Sequence, residues 1–142
     1  MTFHNPTLAR CVTTADMMCA RDRRAAAQQQ LLSLHKLPLV SFTLNIPGPV
    51  KRTALAELAF NSGLRILEET LGTPVDKRIV RAHTGCEALL VYRHTASRLK
   101  EVCLQIEGNR PVGRLYDLDV LEADGTKLSR TTPRTCLLCG AP

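Results

Sequence analysis

The chain alternates between two hydrophobic patterns, the spacing of amphipathic helices and the period of two of half-buried strands, and this order limits the folds open to it. The patterns predict a helix over 14–35, a strand over 40–46, a helix over 54–71, strands over 77–83 and 86–92, a helix over 96–108, and strands over 115–121 and 126–130. Helices mixed with adjacent strand pairs are typical of an α+β fold. We therefore expect a single domain in which about three helices pack against one face of a mixed, mainly antiparallel sheet.

The composition excludes several classes of protein. With 44% hydrophobic residues the chain is not disordered by composition, yet no apolar run reaches the roughly 20 residues that cross a bilayer. Only 4% of the residues are aromatic, which is too few for a platform that stacks nucleic-acid bases. The net charge of +6 should attract anions such as phosphates and acidic proteins.

The N-terminus and the cysteines indicate a cytoplasmic protein. Residues 1–6 lack the charged and apolar regions of a secretory signal peptide. The six cysteines do not have the spacing of a small disulfide scaffold, so we expect thiols, most of them in the core. Cys136 and Cys139 have zinc-knuckle spacing, but a structural zinc needs four ligands and the sequence supplies no second pair nearby. This pair therefore does not favour zinc.

Segment 111–120 carries the strongest indication of chemistry. Residues two apart in a strand point the same way, so Asp117 and Asp119 are predicted to share one face. A divalent cation would relieve their repulsion, and Mg²⁺ commonly binds one or two carboxylates together with substrate phosphates. Gly113 and Arg114, just upstream, would add a flexible backbone and a guanidinium that grips phosphate. The alternative is an exposed sheet face on which both carboxylates meet solvent or arginine.

Two further places could bind phosphate. Lys51 lies in the loop over 47–52, between a strand and a helix start, where backbone N–H groups and the helix dipole favour an anion. Because the loop lacks the glycine pattern of a P-loop, a stiff structural turn is the somewhat better interpretation. Arg21 and Arg24 stand on one face of the first helix, which suits an anion and suits a solvated surface equally.

Several short segments, taken together, are more informative about the family of the protein than the local patterns above. They are Arg21-Asp22-x-Arg24-x-x-x-Gln28, Pro38-Leu-Val-Ser-Phe42, Asn45-x-Pro-Gly-Pro49-x-Lys51, Phe60-Asn61-x-Gly63, Gly113-Arg-Leu-Tyr-Asp-Leu-Asp-Val120, Leu128-Ser-Arg130 and Pro133-Arg-x-Cys-Leu-Leu-Cys139. In this order they resemble the holo-citrate-lyase synthase family, the apo-citrate lyase phosphoribosyl-dephospho-CoA transferases. The combination is much more specific than any one segment.

The resemblance implies an activity and its partners. Members of this family transfer the 2'-(5''-phosphoribosyl)-3'-dephospho-CoA group from triphosphoribosyl-dephospho-CoA to a serine of the acyl carrier (gamma) subunit of citrate lyase, and pyrophosphate leaves. We predict that Asp117 and Asp119 hold Mg²⁺ and form the catalytic group together with Arg114. The predicted substrate-binding residues are Arg21, Arg24, Lys51, Gly113 and Arg130. Nucleic acid and membranes are not expected partners.

The resemblance also implies a difference at the C-terminus, and other functions remain open. Family members usually continue beyond the Cys-Leu-Leu-Cys segment with more Cys- and His-containing helical sequence, whereas this sequence stops at Pro142. We therefore expect one transferase domain over 1–142, either truncated or naturally short. A small metal-dependent nuclease or phosphodiesterase would also use paired aspartates, and a noncatalytic basic binding module stabilised by zinc is a third possibility.

Overall fold

The predicted α+β order of elements is present in the computed structural model, which describes residues 10–129. Its elements are α1 Thr14–His35, β1 Leu39–Leu44, α2 Ala54–Leu71, β2 Asp76–Ala82, β3 Gly85–Val91, α3 Ala96–Gly108, a 3-10 helix Pro111–Leu115 and β4 Tyr116–Leu121. These bounds confirm the predicted fold class. None of the helices within residues 10–129 is long and apolar enough to cross a membrane.

Threonine side chains begin the three helices. Thr13, Thr53 and Thr95 each accept a hydrogen bond from a backbone N–H in the first turn of α1, α2 and α3, respectively. Replacing such an N-cap by alanine costs about 1 kcal/mol of stability. These caps explain why the helices start where the sequence predicted.

Strand β1 is the central pairing partner of the sheet. The strand order is β2-β3-β1-β4, and every neighbouring pair is antiparallel. Leu39 of β1 lies opposite Val91 of β3 on one side and opposite Leu121 of β4 on the other. The residues of β1 therefore fix how the side chains of β3 and β4 line up across the sheet.

One face of the sheet packs on α2 and α3 to form the larger core. Val40 and Phe42 of β1 point to this face and are fully buried. The Phe42 ring stacks on Phe60 of α2, with 5.0 Å between the ring centroids, and meets Tyr116 of β4 edge-on at 5.3 Å. Aromatic pairs at such distances add roughly 0.5–1.5 kcal/mol each beyond the burial of their area. This packing fixes α2 against the sheet.

Helix α1 covers part of the opposite face, which we call the α1 face, so the expectation that only one face is covered was wrong. Leu31 and Leu32 of α1 pack on a smaller apolar cluster. Its sheet members are Leu39, Leu89, Val91 and Leu121. The polar alternation through Ser41 and Thr43 suggested a solvated face. The register, however, gathers these four leucine and valine side chains at one end of it, where water must be excluded.

The strand predicted over 126–130 is replaced by a single bridge between Leu121 and Lys127, and the last predicted position lies outside the described residues. The N–H of Leu128 donates to the carbonyl of Val120 at 2.9 Å. The Leu128 side chain packs against the larger core. The segment therefore stays beside β4 without extending the ladder, because Leu128 is drawn toward the core.

Two histidine–aspartate pairs fasten the ends of α1. Near its start, Asp16 Oδ2 lies 3.4 Å from His83 Nε2, and at its end His35 Nε2 lies 2.8 Å from Asp76 Oδ2. The hydrogen bond with His35 holds the pKa of Asp76 below its ordinary value of 3.8. A hydrogen bond from the Thr13 backbone N–H lowers the pKa of Asp16 in the same direction. Both ends of α1 are thus tied to the β2–β3 hairpin by carboxylates that prefer to stay ionised.

The Asp76 carboxylate is expected to stabilise the fold at neutral pH but not in acid. Because its pKa is lower in the folded chain than in the unfolded chain, its contribution is present above 3.8 and is lost as the pH falls through the folded-state value. The melting temperatures of Asp76→Asn and of the unchanged chain should therefore differ at about pH 7, and the difference should shrink as the pH falls below 3.8. A difference that does not change with pH would contradict a role for the charge.

Candidate active site

Asp117 and Asp119 of β4 project from the α1 face of the sheet. The residues that alternate with them along β4 are buried in the larger core. Asp117 lies opposite Thr43 of β1, and Asp119 lies opposite Ser41. Residues two apart in a strand are separated by about 7 Å, so the two carboxylates are near neighbours. The orientation predicted from the period of two is therefore observed.

A cavity of about 640 Å³ lies between α1 and this face of the sheet. Pockets that bind small molecules span roughly 300–1,000 Å³, so the size suits a ligand. Asp117 and Asp119 line the cavity from the sheet, and Arg21 and Arg24 line it from α1. Arg21 is exposed and Arg24 is half-buried, so the choice between an anion site and a solvated surface stays a prediction. Two acidic and two basic residues predicted from separate segments are thus brought together.

A lysine from the turn after β4 adds to the charges around Asp119. Lys127 Nζ lies 3.2 Å from Asp119 Oδ1, and Lys127 also lines the cavity. The lysine side chain is mostly exposed, and exposed pairs of this kind contribute only about 0–1 kcal/mol. The pair is therefore weak enough to open when a stronger ligand enters the cavity.

Three predicted site residues lie outside the cavity lining. Lys51 is half-buried in the loop before α2, where its Nζ donates to the carbonyl of Ile46 at 2.5 Å. Arg114 is exposed at the base of β4, in the 3-10 helix. Gly113 is buried in the same 3-10 helix against the end of α3. The positions that fall outside the described residues are Arg130, Cys136 and Cys139.

The aspartate pair has the donor chemistry that Mg²⁺ prefers. Carboxylate oxygens are hard ligands, and Mg²⁺ commonly takes one or two of them while water and substrate phosphates fill its other positions. Within residues 10–129, no three His, Cys, Asp or Glu side chains are grouped as a metal site of their own. On donor chemistry, Asp117 and Asp119 fit a magnesium ion that is shared with a phosphate-bearing ligand.

Cys86 of β3 borders the cavity, but its side chain belongs to the larger core on the other face of the sheet. Burial raises the pKa of the Cys86 thiol above its ordinary value of 9.0, and the negative charge of Glu57 acts in the same direction. The group therefore stays protonated at neutral pH, and a protonated thiol is a weak nucleophile. Because the Cys86 side chain packs in that core, it is not placed to act as a nucleophile in the cavity.

Sequence patterns missed two charged residues of the cavity, Glu87 and Lys127. Glu87 is buried in β3 and forms ion pairs with Arg23 and Arg24 of α1. The sequence contained one signal for it, because a glutamate inside the apolar run of β3 indicates a buried charge that needs partners. Lys127 had no comparable signal, since its position depends on how the chain folds back beside β4.

Comparison with known proteins shows which family this chain belongs to. A family model described as apo-citrate lyase phosphoribosyl-dephospho-CoA transferase matches residues 12–142. The chain belongs to this family. A probable apo-citrate lyase phosphoribosyl-dephospho-CoA transferase of Vibrio cholerae serotype O1 (strain M66-2) is 37% identical, over 96% of this chain and 80% of the relative. An apo-citrate lyase phosphoribosyl-dephospho-CoA transferase of Escherichia coli O7:K1 (strain IAI39 / ExPEC) is 39% identical, over 90% of this chain and 74% of the relative.

The match confirms the resemblance drawn from the short segments. Two of those segments, 21–28 on α1 and 113–120 leading into β4, are far apart in the sequence. In the structure they face each other across one cavity. The fold thus explains why both segments occur together in the resemblance.

Proposed function

We propose that this chain transfers the 2'-(5''-phosphoribosyl)-3'-dephospho-CoA group to apo-citrate lyase, and so acts as a citrate lyase holo-[acyl-carrier-protein] synthase. The donor is triphosphoribosyl-dephospho-CoA, the acceptor is a serine of the acyl carrier (gamma) subunit, and pyrophosphate leaves. One observation carries the proposal: in a member of this family, Asp117 and Asp119 share a cavity with Arg21 and Arg24.

The charges of the cavity suit a triphosphate. Arg21 and Arg24 donate hydrogen bonds to phosphate oxygens of the bound donor. Asp117 and Asp119 hold Mg²⁺, which when bound neutralises phosphate charge and orients the donor. The cavity thereby combines the cationic and carboxylate groups that phosphoryl-type transfer requires.

The transfer is direct. The serine oxygen of the carrier forms a bond to the α-phosphorus, and the bond from that phosphorus to the departing pyrophosphate oxygen breaks, while the hydroxyl proton passes to water. Arg114 is proposed to neutralise developing charge. The further proposed substrate contacts are Lys51, Gly113 and Arg130.

We also propose that the reaction takes place in the cytoplasm. Within residues 10–129 the four cysteines are all unpaired thiols, namely Cys11, Cys19, Cys86 and Cys103. Thiols persist in reducing compartments, whereas exported proteins tend to form disulfides.

Mass spectrometry of the carrier tests the proposal. The chain is mixed with apo carrier subunit, triphosphoribosyl-dephospho-CoA and Mg²⁺, and the carrier is then weighed. We expect a mass gain equal to one phosphoribosyl-dephospho-CoA group, and no gain with a carrier whose acceptor serine is replaced by alanine. An unmodified carrier, together with nucleotide release from DNA or RNA in a parallel reaction, would instead indicate a nuclease.

A further inference from the structure

A third carboxylate, Glu87, stands on the α1 face beside the aspartate pair. Its register partner is Thr43 of β1, and Thr43 is in turn opposite Asp117 of β4. Glu87 therefore lies in the same row across the sheet as Asp117, and it also lines the cavity. The roles proposed above leave Glu87 without a function.

Both oxygens of Glu87 are engaged by arginines of α1. Arg23 Nη2 donates to Oε1 at 2.9 Å, and Arg24 Nη1 donates to Oε2. Because both carboxylate oxygens already accept guanidinium hydrogen bonds, Glu87 does not suit a general base. The trio of one glutamate and two arginines carries a net charge of +1, which favours an anion nearby.

The two arginines differ in where they lie. The side chain of Arg24 is 27% exposed and lines the cavity, whereas that of Arg23 is 52% exposed and does not. A guanidinium carries five N–H groups, so an Arg24 that gives Nη1 to Glu87 can still offer other donors to a ligand. Only Arg24 therefore connects Glu87 to the contents of the cavity.

We infer that Glu87 is a positioning residue, which holds the Arg24 guanidinium in the orientation that receives the triphosphate of the donor. This inference rests on the proposed function. A long arginine side chain loses rotamer freedom when it binds a phosphate, and a side chain that is already fixed loses less. Glu87 is rigid because it lies in a central strand and is buried, so it can fix Arg24 before the substrate arrives.

A double-mutant cycle between Glu87 and Arg24 tests the inference. Glu87→Gln keeps the shape of the side chain but removes its charge, and we expect it to raise KM for triphosphoribosyl-dephospho-CoA about tenfold with a change in kcat below about threefold. Arg24→Ala should raise KM at least as much. In the Arg24→Ala background, the additional effect of Glu87→Gln should fall below about twofold, because the arginine that remains on Glu87, Arg23, does not line the cavity.

Arg23→Ala is the matched control. It removes the other arginine from the same carboxylate but changes no side chain that lines the cavity. We expect KM to stay within about twofold of the unchanged chain, even if the melting temperature falls as much as in Glu87→Gln. A merely structural role of Glu87 predicts instead that KM follows the melting temperature in both variants.

A second variant keeps the test valid if Glu87→Gln does not fold. Glu87→Asp keeps the charge and withdraws the carboxylate by one methylene, so Arg24 should shift and KM should rise while the melting temperature is nearly retained. Equal effects of the glutamate variant in the presence and absence of Arg24 would overturn the inference. So would an unchanged KM in a folded variant.

Binding of inorganic triphosphate, measured by calorimetry on the same proteins, separates this inference from the proposed function. If the unchanged chain fails to load the carrier, the proposed function fails. The double-mutant cycle of Glu87 and Arg24 is then measured on the affinity for inorganic triphosphate. A smaller effect of Glu87→Gln in the Arg24→Ala background supports the positioning role there as well. If the chain loads the carrier but both cycles are additive, only the positioning role is wrong.

Discussion

Replacing Asp117 or Asp119 by asparagine will lower the turnover of prosthetic-group transfer by about 10²-fold or more, while the fold remains intact. Each change keeps the size of the side chain but removes a negative charge from the carboxylate pair that is proposed to hold Mg²⁺. Stability should change little, because the carboxylates repel each other and the ion pair of Asp119 with Lys127 is largely exposed. Carrier loading over time, followed by mass spectrometry, measures the turnover.

Glu101→Gln provides the matched loss of a carboxylate charge. Glu101 is exposed on α3, on the side of the sheet that packs the larger core, and it pairs only loosely with Arg98 at 3.6 Å. Turnover of this variant should equal that of the unchanged chain. Near-normal loading by either aspartate variant would refute the proposed magnesium role, and a large fall in the Glu101 variant would show that net charge alone limits the reaction.

Gly113→Ala is expected to lower the free energy of unfolding by about 2–3 kcal/mol, and therefore to lower the melting temperature by roughly 10 °C. A Cβ at Gly113 would lie 2.6 Å from the carbonyl oxygens of both Ile106 and Glu107. These are backbone atoms of α3 and cannot rotate away, so either the 3-10 helix or the end of α3 must move. Thermal unfolding followed by circular dichroism measures the loss.

Gly108→Ala is the control for this glycine, because a Cβ there has nothing within 4 Å. Alanine at the end of α3 should leave stability unchanged or raise it by up to about 1 kcal/mol. The comparison also bears on the proposed substrate contact at Gly113. If Gly113→Ala keeps its melting temperature and raises only KM, then Gly113 contacts the substrate. If the melting temperature falls, then Gly113 is needed for packing against α3.

Local patterns in the sequence were sufficient for the three α-helices and the four strands of the sheet, but they also predicted a strand over 126–130 that is not formed. The helix over Thr14–His35 and the hairpin of β2 and β3 were predicted closely, because periodicity, threonine caps and a glycine turn act over a few residues. The coverage of the α1 face was not predicted. It depends on Leu39 meeting Val91 and Leu121 across the sheet, and such register cannot be derived from one strand at a time.

In the candidate site, too, some features could be predicted from local patterns and others depend on tertiary packing. The shared face of Asp117 and Asp119 followed from the period of two, and the shared face of Arg21 and Arg24 followed from helical spacing. That these two faces meet is a property of tertiary packing, and no local pattern contains it. Glu87 was missed for the same reason, since its arginine partners lie more than sixty positions earlier in the chain.

The central place of β1 has a consequence for synthesis on the ribosome. β1 emerges early, but one of its two neighbours, β4, is the last of the described strands to be translated. Until β4 pairs, a nascent chain presents a bare strand edge and lacks both aspartates, so it depends on rapid completion or chaperone cover to avoid aggregation. If Asp117 and Asp119 have the proposed role, a chain that still lacks β4 is expected to be inactive in the transfer.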